Sequence, residues 1–305
     1  MARRLAQNVT ALLALACTLL APPLAAEEPA AALPRPSTAQ PNVHVLPTPF
    51  VMAGLNRQRT VRVYLPPGYE GSRARYPVLY MHDGQNLFDD ATAYAGEWGI
   101  DESLNALAKS RGLRLIVVGI DNGGADRIHE LNPWDNPEFG PGEGAQYMAF
   151  IVETLKPWID QHYRTRCDRQ HTAIMGSSMG GLISSYAISR YPQVFGKAGI
   201  FSPAYWLAPP VFADTAAHPP PRTARIYFYA GGSESLSMVR DTERMVAILR
   251  RAGLPERNLL LNVNPVGRHA ESAWRTEFPR AITWLFRDTG VRAAGAYSSP
   301  ATHAP

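Results

Sequence analysis

Apolar and polar positions alternate along this chain in two rhythms, and the switch between them marks out its elements. Thr60 to Leu65 alternates with the period of two that suits a strand, and Pro66-Pro67-Gly68 stops it. Short apolar runs at Pro77–Met81, Leu113–Ile120, Thr172–Met175, Ala198–Phe201, Arg225–Ala230 and Leu259–Val263 read as further strands. Leu113–Ile120 is continuous and β-branched, the mark of a strand covered on both faces. Between these runs the period shifts to that of a helix at Asp101–Lys109, Gln146–Tyr163, Gly181–Arg190, Leu236–Arg251 and Ala270–Phe286. Pro157 lies inside the second of these helices and is expected to kink it. Strand and helix alternate from Pro77 onward, which predicts an α/β fold with a mostly parallel central sheet and helices on both faces. Ligand sites in such sheets gather at the carboxyl ends of the strands.

The two ends lack this rhythm. Arg3 and Arg4, an apolar stretch from Val9 to Leu20, a break at Pro22-Pro23 and small residues at Ala25-Ala26 follow the order of a secretory signal peptide over residues 1–26. The apolar stretch is short for a membrane span. Export to the periplasm or outside the cell is therefore expected, without stable membrane insertion once the signal is removed. Residues 27–42, rich in Ala and Pro, read as a flexible leader, and 291–305 as a disordered tail, leaving one catalytic domain over 43–290. Apolar residues make up 46% of the chain and charged residues 18%, which supports a sizeable core. The formal net charge is +4 and the basic residues are scattered, so no nucleic-acid partner is expected. Beyond the signal only Cys167 remains, so no internal disulfide is expected and the fold must hold by packing. Cys167 lies among arginines before a strand and reads as a surface-loop residue.

Chemistry enters at Gly176-Ser177-Ser178-Met179-Gly180-Gly181, which follows the Thr172–Met175 strand and opens a helix. G-x-S-x-G in that setting is a nucleophile elbow: a turn so sharp that the positions two before and two after the serine must be small. Ser178 is the predicted nucleophile. Ser177 lacks a glycine two residues on, because position 179 is Met. A serine hydroxyl needs a base, and chain order in an α/β-hydrolase puts a histidine after the last strand. His269 meets that condition; His82 and His129 also follow strands and could line a pocket. The acid that orients the base should follow the strand ending at Ala230. Glu234 is the candidate and Asp241, further into the next helix, the runner-up. The oxyanion needs backbone N–H donors, expected from Met179 and from Gly84 or Gln85 in the loop after Met81.

Taken together, Tyr76–Asp89, Glu97–Asp101, Thr172–Gly181, Val194–Pro203 and Gly267–Glu271 resemble the "putative esterase" family, which includes esterase D-type enzymes and, as related members, siderophore, feruloyl and acetyl-xylan esterases. The resemblance runs from Val43 to Arg287. It implies an α/β-hydrolase fold and carboxylic-ester hydrolysis with neither metal nor other cofactor, and it puts the nucleophile at Ser178, the base at His269 and the acid at Glu234. A small-molecule or saccharide ester is the expected partner: an acylated sugar, a phenolic ester or a siderophore ester. Trp98, Trp134, Tyr205 and Trp206 are candidates for an aromatic wall, and Arg127 and Arg268 for binding a carboxylate or catechol oxygen. Two other readings stay open: an acyltransferase of the same fold and a non-catalytic binding module.

Overall fold

The computed structural model describes residues 35–287. The signal peptide expected over residues 1–26, residues 27–34 of the expected leader and the expected 291–305 tail lie outside the described residues.

In chain order the strands are β1 (Val43–Val45), β2 (Phe50–Met52), β3 (Arg57–Arg59), β4 (Val61–Tyr64), β5 (Val78–His82), β6 (Ile116–Ile120), β7 (Thr172–Ser177), β8 (Lys197–Phe201), β9 (Arg225–Gly231) and β10 (Leu259–Asn264). The helices are α1 (Ile100–Arg111), α2 (Arg127–Glu130), α3 (Gly144–Ala149), α4 (Lys156–His162), α5 (Met179–Arg190), α6 (Pro210–Ala217), α7 (Met238–Arg251) and α8 (Glu271–Leu285). Among the described residues, eight strands form one sheet in the order β1-β4-β6-β5-β7-β8-β9-β10, and β2 and β3 form a separate hairpin. β1–β4 and β4–β6 pair antiparallel; every pair from β6 to β10 is parallel. The mostly parallel sheet is the one that the alternation of periods predicts, and the fold is the α/β-hydrolase fold that the resemblance implies.

The period-two pleat sends successive side chains to opposite faces. Val78 and Tyr80 join one core cluster while Leu79 and Met81 join the other, and Ile116, Val118 and Ile120 separate from Val117 in the same way. One cluster is roofed by α3 to α7, through residues such as Met148, Ile159, Ile183, Val211 and Leu249. The other is roofed by α1 and α8, through Leu104, Phe278, Ile282 and Leu285.

Three expectations change. Around Pro157 the continuous helix expected over Gln146–Tyr163 changes its winding. Phe150–Leu155 winds as a π-helix joining α3 to α4, with the Lys156 N–H bonded to the Ile151 carbonyl immediately before the proline. The wider turn absorbs the donor that Pro157 lacks and the bulk of its ring. The second change concerns the leader: residues 35–42 are tied to the domain. Ser37 Oγ and the Thr38 N–H bond the Asp89 carboxylate at 2.8 and 3.1 Å, the Gln40 N–H bonds Asp101 Oδ2 at 2.8 Å, and Asn42 Nδ2 bonds the Leu65 carbonyl at 2.6 Å. Polar partners distant in sequence hold a stretch that composition alone marks as loose. The third is Tyr205, which is core, with its hydroxyl 2.7 Å from Ser185 Oγ and its ring edge-on to Phe212. Cys167 is exposed.

Candidate active site

β7 runs into Ser178, whose φ of 57° and ψ of −118° belong to a region that residues with a side chain rarely occupy. The turn is held by the Ser178 N–H on the Phe201 carbonyl at 2.9 Å and by the Ala204 N–H on the Ser178 carbonyl at 2.9 Å. The need for small neighbours is steric. A Cβ on Gly176 would lie 2.8 Å from the Gly180 carbonyl carbon. The N–H of Met179 opens α5 directly beyond the serine, at the helix end where negative charge is favoured.

Ser178 and His269 line one cavity of about 570 Å³, a size suited to a small-molecule ligand. His269 lies in the loop after β10, and its Nδ1 is 2.7 Å from Glu234 Oε2. The Glu234 side chain is 1% exposed and the imidazole 40%. Glu234 Oε1 accepts two more hydrogen bonds, from the Gly231 N–H at 2.7 Å and from Ser202 Oγ at 2.6 Å. Ser202 in turn accepts the Trp274 indole N–H at 2.9 Å, and the His269 ring stands edge-on to Trp274 with centroids 5.0 Å apart. A carboxylate fixed by donors in this way aims the imidazole with its Nδ1 side engaged. Asp241 lies on α7, its N–H on the Ser237 carbonyl and its carboxylate beside Arg240, away from the cavity lining. Ser202 and Trp274 were not singled out by sequence. Ser202 has φ 43° directly after β8, and its position just past a strand end was the available signal.

The opposite side of the cavity is charged. Asp83, at φ 56° after β5, takes a forked pair from Arg127, Nε to Oδ1 at 2.6 Å and Nη2 to Oδ2 at 2.9 Å, and a third bond from Asn122 Nδ2 at 2.7 Å. Burial pushes the Asp83 carboxyl up, but Arg127 and Asn122 outweigh it and hold it below its ordinary value. Arg127 therefore reaches the cavity already paired. His82 also lines it, and burial lowers its imidazole to about 4, with Nδ1 2.8 Å from the Tyr147 hydroxyl. Glu271 lines the cavity half-buried; burial raises its carboxyl and the Asp83 charge adds to that, against the pull of His269 and Arg127.

Gln85 and Trp98 complete the walls, with Tyr94 and Trp274. Gly84 is behind the lining, where a Cβ would strike the Gly119 carbonyl carbon at 2.7 Å. Trp98 is both wall and core, packing on Phe201 and Trp274 at 5.3 and 5.6 Å between centroids. Trp134 and Trp206 do not line the cavity. Trp134 packs edge-on to Tyr186 of α5, and Trp206, 60% exposed, stands against Phe139. Their two loops bind each other, through Asn136 Nδ2 on the Leu207 carbonyl at 2.7 Å, and not the cavity. His129 is outside the lining too, bonded to the Pro141 carbonyl, and Arg268 is exposed.

The family described as "Putative esterase" matches residues 52–285. The chain belongs to this family. Its relatives include YbbA of Bacillus subtilis (strain 168), an uncharacterized protein, 28% identical over 75% of this chain and 92% of that one. An endo-1,4-β-xylanase/feruloyl esterase of Xylanibacter ruminicola is 25% identical over 78% of this chain, which spans 31% of that larger protein. Among solved structures, the enterobactin esterase of Shigella flexneri superposes with a TM-score of 0.68 at 19% identity, covering 83% of this chain and 61% of that one. A ferulic acid esterase gives 0.60 at 22% identity, covering 81% and 99%. These structural likenesses establish the fold. Among the described residues no helix is long and apolar enough to cross a membrane.

Proposed function

We propose that this esterase-family protein hydrolyses carboxylic esters through an acyl-enzyme on Ser178, with His269 as base and Glu234 as its orienting acid. The observation that carries this reading is the shared cavity: the strained serine and the carboxylate-bound imidazole line the same space. Ser178 Oγ attacks the ester carbonyl carbon as His269 Nε2 takes its proton. The tetrahedral oxyanion sits on the N–H groups of Met179 and of the loop at Gly84 and Gln85, with Gln85 favoured because it lines the cavity. The imidazolium, stabilised by Glu234, then protonates the leaving alcohol oxygen as its bond to the acyl carbon breaks. Water, deprotonated by the same imidazole, releases the acid and restores Ser178.

For the substrate, Tyr94, Trp98 and Trp274 offer ring surfaces, while Arg127 is already neutralised by Asp83 and Glu271 adds negative character. That favours an uncharged aromatic acyl ester over a free anion. The feruloyl and ferulic acid esterases among the similar proteins are in keeping with this choice. Export rests on the signal-like residues 1–26. Kinetics on acetyl, feruloyl and siderophore esters test the reading. Feruloyl esters should give the highest kcat/KM, and release of the free acid with a competing alcohol present separates hydrolysis from acyl transfer. Preference for an anionic acyl group would overturn the substrate assignment.

A further inference from the structure

The loop that supplies Tyr94 and Trp98 to the cavity runs directly into α1, and this stretch carries three carboxylates that ester hydrolysis does not use. Glu97, Asp101 and Glu102 each offer one oxygen to a common point, all within 4.8 Å of one another. Glu97 is 7% exposed and Asp101 fully buried. Glu97 Oε2, Asp101 Oδ1 and Glu102 Oε2 are closed off from solvent, and none has a hydrogen-bond partner. The remaining oxygens of the two buried residues are engaged. Asp101 Oδ2 accepts the Gln40 N–H, and Glu97 Oε1 faces Arg275 Nη1 at 3.4 Å. One long contact from a half-exposed arginine does not balance three converging acids, and buried polar atoms are ordinarily paired.

We propose that Glu97, Asp101 and Glu102 bind a calcium ion. The donors are all carboxylate oxygens, the set preferred by a hard cation, with no imidazole or thiolate to favour a transition metal. Oxygens on opposite sides of Ca²⁺ stand about 4.8 Å apart, so three oxygens this close can share one ion, with water completing its shell. The surroundings agree. Tyr64 of β4 also faces Asp101, and Glu102 and Asp101 share the first turn of α1, so among the described residues no basic side chain stands between the three acids. The ion would fasten together the 35–42 segment through Gln40, the Trp98 wall, and α8 through Arg275, and so brace the cavity without touching the ester.

The full chain, stripped with EDTA, is titrated with CaCl₂ near neutral pH by calorimetry and by thermal melting. The expected result is a one-to-one isotherm and a melting temperature that climbs with calcium concentration. Terbium, as a calcium surrogate, should emit on tryptophan excitation, with calcium quenching the emission by displacement. Asp101→Asn should abolish all three responses. Glu102→Gln, at a half-buried position that tolerates the change, should reduce affinity at least tenfold, while the exposed Glu256→Gln should leave it untouched. Identical melting in calcium and EDTA, a response that survives both site substitutions, or magnesium acting as strongly as calcium would overturn the proposal. So would a stability that depends on pH alone, because a shared proton would then be the occupant.

Discussion

Glu234 and Asp83 are both carboxylates shut away from water around one cavity, and each accepts three hydrogen bonds, yet they face different partners. Glu234 holds an imidazole, with Ser202 and the Gly231 N–H as its other donors. Asp83 holds a guanidinium, with Asn122 as its third donor. An imidazole exchanges its proton near neutral pH, whereas a guanidinium keeps its proton throughout. In the proposed mechanism the first pair passes a proton during turnover. The second can only keep a shape, including the left-handed turn at Asp83 that leads the chain into the Gly84–Gln85 loop. On the proposed mechanism, similar solvation serves chemistry in one place and architecture in the other, and the chemical type of the partner decides which.

The sharpest way to break this contrast is to remove the group the relay serves. Ser178→Ala should lower turnover of a short p-nitrophenyl ester by on the order of 10³-fold or more, with an unchanged circular dichroism spectrum. Glu234→Gln should cost roughly 10² to 10⁴-fold in kcat, since the imidazole loses its orientation and its counter-charge, while the melting temperature moves little. Asp83→Asn should do the reverse. It strands Arg127, which is partly open to solvent, so about 1–3 kcal/mol of stability should be lost in urea melts, with activity falling mainly through KM. If the two substitutions lower kcat and stability in the same proportion, the distinction between relay and strut fails.

Acid titration sharpens the same point. His82 has a folded value of about 4 against an ordinary 6.5, so the unfolded chain takes up its proton first. Stability should decline as pH falls from 6.5 toward 4, by at most about 3 kcal/mol, and His82→Gln should flatten that limb of the melting curve. Asp83, held below its ordinary 3.8, stabilises the fold above that value and loses its contribution only as pH falls further. Asp83→Asn should flatten only that lower limb. The smallest effect is expected from Ser202→Ala, roughly tenfold in kcat with KM unchanged, because Glu234 keeps two of its three donors.

The elbow is legible in six consecutive residues because its constraint is local: Gly176 and Gly180 meet across the turn, and a Cβ on Gly176 would run into the Gly180 backbone. The core strands and the helices α1, α5, α7 and α8 are legible for a similar reason, since the period of apolar positions reports which faces are buried. By contrast, β1, the β2–β3 hairpin and α6 escape notice, being short and weakly patterned. Candidates just after a strand could be nominated, and Glu234 put ahead of Asp241, but their contacts could not be read. Glu234 and Asp241 both follow β9, and only the folded path of the β10–α8 loop sets His269 against the first. Trp98 and Trp206 likewise both lie in loops past strands, yet one lines the cavity and the other packs on Phe139. The sequence by itself determined the layered sheet and the serine turn, where steric rules act over a few residues. Tertiary structure alone decided which distant side chains share a hydrogen bond, because that depends on where long connections return, and no local periodicity encodes their course.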